Sequence, residues 1–116
     1  IINNKPKGFL VISGDDALTL PIIASGGDGV ISVLANAFPR GFSNMVNAAL
    51  SADFKKARKL HYQYFEMIHY LFVDGNPAGI KAALKLLNIT GDTLRLPLVN
   101  VGDKTYNKIK ELIASY

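Results

Sequence analysis

The chain has 116 residues, of which 49% are apolar and 19% charged, a composition typical of a packed globular protein and not of a disordered segment. No apolar run approaches the roughly 20 residues that a membrane-spanning helix requires. The sequence has no cysteine, which excludes disulfides and thiolate metal sites and fits a cytosolic protein. The net charge is +4, and the lysines and arginines behind it lie at solvent-facing helical spacings without interleaved aromatic residues. We therefore predict no nucleic-acid partner and no membrane partner.

Two short apolar runs predict the strands of the chain. The first covers residues 9–13 and ends in the polar turn formed by Gly14, Asp15 and Asp16. The second covers residues 30–33. Runs of β-prone residues without polar alternation are typical of strands buried on both faces, as in parallel sheets. Loops at the carboxyl ends of parallel strands build the functional site in such folds, so we expect chemistry near the polar turn.

The segments after each strand predict helices. Leu18, Ile22 and Ile23 form the apolar face of a short helix that carries Pro21 in its first turn. Residues 26–29 are rich in glycine and end that helix. They do not form a phosphate-binding loop, because such loops follow a strand and these residues precede one. A longer amphipathic helix is predicted from Pro39 to about Leu50.

The remaining residues predict a helical tail without a further strand. Its first helix runs from about residue 53 to residue 72, its second has Asn76 as a cap and Pro77 just inside, and its third begins at Asp103. An extended linker over residues 95–98 is expected to pack its leucines on a helix. Residues 1–51 are therefore predicted as two strand–helix units, and residues 52–116 as a carboxyl-terminal helical region.

Two parallel strands do not make a stable sheet by themselves, because the faces and edges of the sheet must be covered. We therefore expect these residues to be the carboxyl-terminal part of a larger α/β protein.

Several motifs share their order and spacing with one known family. They are SGDDALTLP at residues 13–21, GGDGVISV at residues 26–33, Asn36, LF at residues 71–72, NPAGIKAAL at residues 76–84 and LRLPL at residues 94–98. Together they resemble the strand-seven and strand-eight region and the tail of the dihydrodipicolinate synthase family. The pair Ala78-Gly79 departs from the family pattern, which often has an apolar residue and a second proline there.

The resemblance implies a fold and an activity. The fold would be the carboxyl-terminal part of a (β/α)8 TIM barrel, namely its last two βα units, followed by a three-helix region. The activity would be a class I aldolase-type condensation of pyruvate with aspartate semialdehyde in lysine and diaminopimelate biosynthesis. Family members are commonly homotetramers, and we predict no cofactor. The Schiff-base lysine, a tyrosine and an arginine of the family lie upstream of the matched motifs, so the segment alone is expected to be inactive and to need the remainder of the barrel.

The resemblance also implies which residues of this segment bind substrate. The main chain of Ile31 would touch the pyruvyl group, and Gly14 would line the pocket. Asp15 and Asp16 have two interpretations. They either cap a helix and hold the barrel rim, or they supply polarity near the second substrate.

Other candidate residues carry weaker signals. Lys81 flanks the apolar stripe of a helix, and its environment does not favour the unprotonated amine that a Schiff-base lysine needs. His61 and His69 are eight residues apart on one helix, whereas metal-binding pairs usually lie four apart. We predict that both pack on or beside the apolar stripe, and that the chain has no metal site.

Two alternative functions remain open. The chain resembles, less closely, sialic-acid (N-acetylneuraminate) lyases and sugar-acid aldolases, which share the barrel and the lysine. It could also belong to a non-catalytic, barrel-derived protein whose helical tail mediates assembly.

Overall fold

The computed structural model describes residues 1–116, and the chain divides into two compact units, Ile1–Tyr64 and Phe65–Tyr116. Two strands and five helices follow in order, with short 3₁₀ turns at Ile2–Asn4 and Leu34–Asn36. The strands are β1 (Ile12–Ser13) and β2 (Gly29–Val30), and the helices are α1 (Thr19–Ala24), α2 (Pro39–Leu50), α3 (Phe54–Phe72), α4 (Ala78–Leu86) and α5 (Asp103–Ala114). None of these helices combines the length and the hydropathy that crossing a membrane would need.

The two strands pair in parallel, with Ile12 opposite Gly29 and Ser13 opposite Val30. Both strands are shorter than predicted, and within these residues only one face of the pair is covered. Ser13 is buried, but Ile12 on the opposite face of β1 is 42% exposed, and Phe9 and Leu10 precede the strand and are also exposed. A residue joins a strand only where a partner strand accepts its hydrogen bonds, so the apolar run alone overestimated the length.

The covered face of the sheet packs against helices of the first unit. Helix α1 packs on α2, and both helices contact β2. The buried apolar residues of α1, α2 and the 3₁₀ turn between them are all less than a tenth exposed. They are Leu20, Ile23, Leu34, Phe42, Met45, Ala48 and Ala49. Leu18 was predicted on the apolar face of α1, but it lies just before that helix and is 53% exposed.

Helices α2 and α3 begin where the sequence predicted. Pro39 is the first residue of α2, a position where its missing amide donor costs nothing. The carboxylate of Asp53 accepts the backbone N–H of Lys56 at 3.1 Å and so caps α3. The buried stripe of α3 consists of Ala57, His61, Tyr64, Met67, Ile68 and Leu71. Phe54 and Phe65 lie on the same helix and are 37% and 47% exposed.

In the second unit α4 packs on α5. Helix α5 begins at Asp103 as predicted, whereas the cap of α4 differs from the prediction. Asn76 does not cap α4, whose N-cap position is Pro77 and has no side-chain cap. Asp103 lies in the first turn of α5, behind Gly102 at the N-cap position. Instead, the carboxylate of Asp74 accepts the N–H of Gly102 at 2.9 Å. This bond joins residues 28 positions apart, so no local sequence pattern announces it.

The linker before α5 also differs from the prediction. Leu96 and Leu98 are 86% and 47% exposed, so these leucines do not pack on a helix of this chain as expected.

Gly79 lets two helical segments of the second unit approach closely. A Cβ atom built at Gly79 would lie 2.2 Å from the carbonyl oxygen of Leu71 and 2.6 Å from its Cα. Both atoms belong to the backbone, so a larger residue could not be accommodated by a rotamer change. The backbones of α3 and α4 therefore approach each other closely at Ala78-Gly79, where the sequence departs from the family pattern.

We predict that Gly79→Ala destabilises the protein by about 1–3 kcal/mol, the usual cost of forcing extra volume into a packed contact. The measurement is chemical denaturation of the full-length protein that carries this segment. Gly91→Ala is the matched control, because a Cβ at Gly91 has no atom within 4 Å. Equal stabilities of the two variants would contradict the close approach.

Candidate functional site

The carboxyl ends of β1 and β2 lie side by side. The backbone N–H of Ile31 donates to the carbonyl of Ser13 at 2.9 Å. Because Ser13 and Val30 are opposite each other in the register, Gly14 and Ile31 are the next residues at the same edge of the sheet. The structure therefore brings together the two residues that the sequence singled out for substrate binding.

Both residues present backbone at this edge. Ile31 is 79% exposed, and its carbonyl accepts no hydrogen bond from another residue of the chain. Gly14 is exposed, and a Cβ built there would meet no atom within 4 Å. Gly14 also lines an open groove of about 650 Å³ along β1, whose other walls are mainly isoleucine and valine side chains. The edge can thus offer peptide groups to a ligand without interference from side chains.

Two buried hydroxyls support the turn that contains Gly14. The Ser13 hydroxyl accepts the N–H of Asp15 at 3.2 Å and donates to the carbonyl of the same residue at 2.8 Å. The Thr19 hydroxyl donates to that carbonyl, also at 2.8 Å. Ser13 and Thr19 are 2% and 0% exposed. The sequence analysis missed this pair, whose only signal was two hydroxyl residues flanking a Gly-Asp-Asp turn.

Asp15 and Asp16 are adjacent but do different things. Asp15 is exposed, and its Oδ1 accepts the N–H of Leu18 at 3.0 Å, which caps the turn leading into α1. Asp16 is only 2% exposed, and its side chain does not cap the turn that contains it. Its Oδ2 accepts the N–H groups of Val33 at 3.1 Å and Leu34 at 2.8 Å, beyond the end of β2. These two bonds favour the interpretation that Asp16 holds the barrel rim.

Asp28 ties the start of the chain to the strands. Its Oδ2 accepts a charged hydrogen bond from Lys5 at 2.5 Å and the backbone N–H of Val11 at 2.8 Å. The Lys5 side chain, followed by the Val11 amide, holds the pKa of Asp28 below its ordinary value. Lys5 is thus an anchor of the residues before β1.

Three lysines have contacts that bear on Schiff-base chemistry. The ion pair with Asp92 raises the pKa of Lys85. Ion pairs with Glu111 and Glu66 raise the pKa of Lys108. A raised pKa favours the unreactive ammonium form. Lys81 donates to the carbonyl of Thr93 at 2.6 Å. This contact favours the structural interpretation of Lys81.

The two histidines have separate surroundings. His61 is 9% exposed, and burial lowers its pKa because the charged imidazolium loses solvation. His69 is exposed and lies edge-on to the Tyr70 ring at 5.1 Å between centroids. No group of three or more His, Asp or Glu side chains is arranged to hold a metal ion.

Comparison with known proteins identifies the family. The model of the dihydrodipicolinate synthetase family matches residues 1–116. The chain belongs to this family. It is 51% identical over 113 residues to 4-hydroxy-tetrahydrodipicolinate synthase from Parabacteroides distasonis, covering 97% of this chain and 38% of that protein.

Solved structures agree with the family assignment. The crystal structure of dihydrodipicolinate synthase from Aquifex aeolicus superposes with a TM-score of 0.96 and 39% identity, over 100% of this chain and 40% of that one. The chloride-inhibited dihydrodipicolinate synthase from Acinetobacter baumannii, complexed with pyruvate, gives a TM-score of 0.87 and 28% identity over 91% of this chain and 36% of that one. The chain therefore spans about two fifths of the length of these relatives.

We predict that acid weakens the Asp28 anchor. The folded-state pKa of this carboxyl is lowered, so its contribution to stability is complete above the unfolded value of about 4 and is lost as the pH falls through the folded value. Asp28→Asn in the full-length protein should lower the melting temperature at pH 7 and lose less stability than wild type on acidification to about pH 3.

The control for this prediction is a double-mutant cycle with Lys5→Met, since the Lys5 hydrogen bond is the main cause of the shift. The substitutions at positions 5 and 28 should be strongly non-additive at pH 7. Additive effects there, or identical acid profiles for wild type and Asp28→Asn, would count against the anchor.

Proposed function

We propose that the chain forms the last two strand–helix units of a (β/α)8 barrel, over residues 1–51, and the helical region that follows it, over residues 52–116. The parallel pair of β1 and β2, with α1 between them in sequence and α2 after β2, supports this assignment. The exposed face of the pair, which carries Ile12, is where the interior of a closed barrel would lie. Helices α3, α4 and α5 would be the three-helix region.

We further propose that the full-length protein condenses pyruvate with aspartate semialdehyde on the route to diaminopimelate and lysine. Pyruvate would be held as a Schiff base on a lysine outside this segment. The observation that carries the proposal is the adjacency of Gly14 and Ile31 at the carboxyl edge of the parallel pair, where ligands of such sheets bind. The named activity of the relatives supports the choice of substrates.

In this proposal the two residues act through their main chains. The Ile31 carbonyl has no partner within the chain, so it is available to accept a hydrogen bond from a pyruvyl ligand. Gly14 has no side chain, so a ligand can approach its backbone closely. Neither group titrates, and their contribution is orientation of the keto acid. Proton transfer would fall to groups elsewhere in the barrel.

Asp15 is the residue of this edge best suited to the second substrate. Its carboxyl is exposed, and one of its oxygens is used for capping, which leaves the other for a polar ligand. Asp16 is buried and engaged with backbone, so we assign it no direct contact with the aldehyde.

Two alternatives use the same edge. A sialic-acid lyase or sugar-acid aldolase would place the same keto-acid moiety on Gly14 and Ile31 but take a different aldehyde. A non-catalytic protein would keep the barrel and use the helical region for assembly. We favour the synthase because relatives 51% and 50% identical to this chain carry that name. We propose the homotetramer from the family resemblance.

The expected outcome of borohydride reduction with pyruvate is a covalent adduct on one lysine of the full-length protein. Residues 1–116 alone should form none, because the Schiff-base lysine is proposed to lie outside this segment and ion pairs raise the pKa values of Lys85 and Lys108. Mass spectrometry of the tryptic peptides is the measurement. An adduct within residues 1–116, or none in the full-length protein, would overturn the proposal, and turnover of aspartate semialdehyde against sialic or sugar acids separates the alternatives.

We also predict that Gly14→Val raises the KM for pyruvate by about ten-fold or more, because a misplaced ligand loses its productive geometry. The site is open and the backbone of Gly14 is not left-handed, so the melting temperature should change little. Gly91→Val, at another open glycine, is the control and should leave the KM unchanged. A Gly14→Val enzyme with wild-type KM would remove Gly14 from the site.

A further inference from the structure

The main chain around Ile31 is fixed at two points, and both lead back to the turn after β1. On the amino side, the N–H of Ile31 is bonded to the carbonyl of Ser13 at 2.9 Å. On the carboxyl side, the N–H groups of Val33 and Leu34 are bonded to one oxygen of Asp16. Between these two points lie only the Ile31 carbonyl and Ser32. The direction of that carbonyl is therefore set by residues of the Ser13–Asp16 turn.

The Asp16 bonds are of a strong kind. A carboxylate that accepts two backbone N–H groups forms charge-assisted hydrogen bonds, and burial removes the water that would compete for them. Asp16 is 2% exposed, and the shorter of its two bonds, to Leu34, is 2.8 Å. The N–H groups it receives begin the 3₁₀ turn Leu34–Asn36, whose first amides have no partner within the turn. Without Asp16 the buried N–H of Leu34 and the half-buried N–H of Val33 would be left without this acceptor.

A second contact on the same turn shows what Asp16 adds. The hydroxyl of Ser32 accepts the N–H of Ala35 at 2.9 Å. This bond is local and orders the 3₁₀ turn internally, but it does not connect the turn to β1. Asp16 alone among the side chains at this edge bonds across from the first strand–helix unit to the segment after β2.

We propose that Asp16 is a positioning residue that holds the Ile31 carbonyl in its ligand-binding orientation through the backbone of Val33 and Leu34. The inference rests on the proposed function, in which that carbonyl contacts the keto acid. It gives Asp16 a specific task in binding although its carboxylate does not reach the ligand. The neighbouring Asp15, with the same side chain, has no such task because its bond stays within its own turn.

The test compares four variants of the full-length protein: Asp16→Ala, Asp16→Asn, Asp16→Glu and the control Asp103→Ala, at an exposed aspartate of α5. The readouts are the KM for pyruvate, kcat, the melting temperature, and the fraction of sites that borohydride traps with saturating pyruvate. The trapped fraction normalises kcat to correctly folded sites. Asp16→Asn keeps an acceptor at the position of the carboxylate without its charge, whereas Asp16→Glu keeps the charge and displaces the acceptor.

For Asp16→Glu we expect a rise of about ten-fold or more in the KM for pyruvate, because a displaced acceptor lets the backbone of the site move. Asp16→Asn should remain within about three-fold of wild type, since a neutral acceptor at the same position still holds the backbone N–H groups, although each bond is only about half as strong. Asp103→Ala should leave the KM for pyruvate unchanged. Asp16→Ala should lower the melting temperature and, in the sites that still trap pyruvate, raise the KM as Asp16→Glu does.

The outcomes separate the inference from the proposed function. If wild type traps no pyruvate, the proposed function fails and the role of Asp16 fails with it. If wild type traps pyruvate but Asp16→Glu keeps the wild-type KM, only the inference fails, and Asp16 is a structural residue. If Asp16→Asn is as impaired as Asp16→Glu, the charge and not the acceptor position matters, which also overturns the positioning role.

Discussion

The parallel register of β1 and β2 is the constraint on which the candidate site depends. It places Ser13 opposite Val30, and the N–H of Ile31 then reaches the Ser13 carbonyl. Side chains alternate between the faces of a strand, so a shift of one residue would turn Ile31 from the open face toward α1 and α2. The same shift would carry Val33 and Leu34 out of reach of Asp16. The turn and the candidate site therefore both depend on this register, which a few hydrogen bonds fix.

Two adjacent aspartates illustrate how position decides the role of a side chain. Asp15 is exposed and bonds three residues ahead, a local cap that any short polar residue could supply. Asp16 is buried and bonds 17 and 18 residues ahead. Burial makes the carboxylate expensive to keep unless it is well bonded. Its Oδ2 accepts two backbone N–H groups, whereas its buried Oδ1 has no hydrogen-bond partner. The Gly-Asp-Asp motif thus combines an exposed group, suited to a ligand, with a buried one, suited to holding the backbone.

The sequence predicted the local features of the fold and missed the contacts that join distant residues. Helix starts at Pro39 and near Asp53 follow from local rules on proline and capping, and both were predicted. Strand lengths were overestimated because pairing depends on a partner, which an apolar run does not reveal. The bonds from Asp16 to Leu34 and from Asp74 to Gly102 were invisible for the same reason. Gly14 and Ile31 came from the family resemblance, and parallel pairing explains their adjacency.

The groups proposed to bind substrate belong to the main chain, so their orientation depends on the residues around them. The peptide carbonyl at position 31 is the same for every amino acid, so its orientation can be tuned only through the bonds that fix the neighbouring backbone. Ordering the backbone of residues 31–33 costs about 1–2 kcal/mol per residue. Two hydrogen bonds to a buried carboxylate return about 1.5–3 kcal/mol each. The two amounts are comparable, so the Asp16 bonds suffice to order this segment before a ligand arrives, and a weaker acceptor would leave part of that cost to be met by binding.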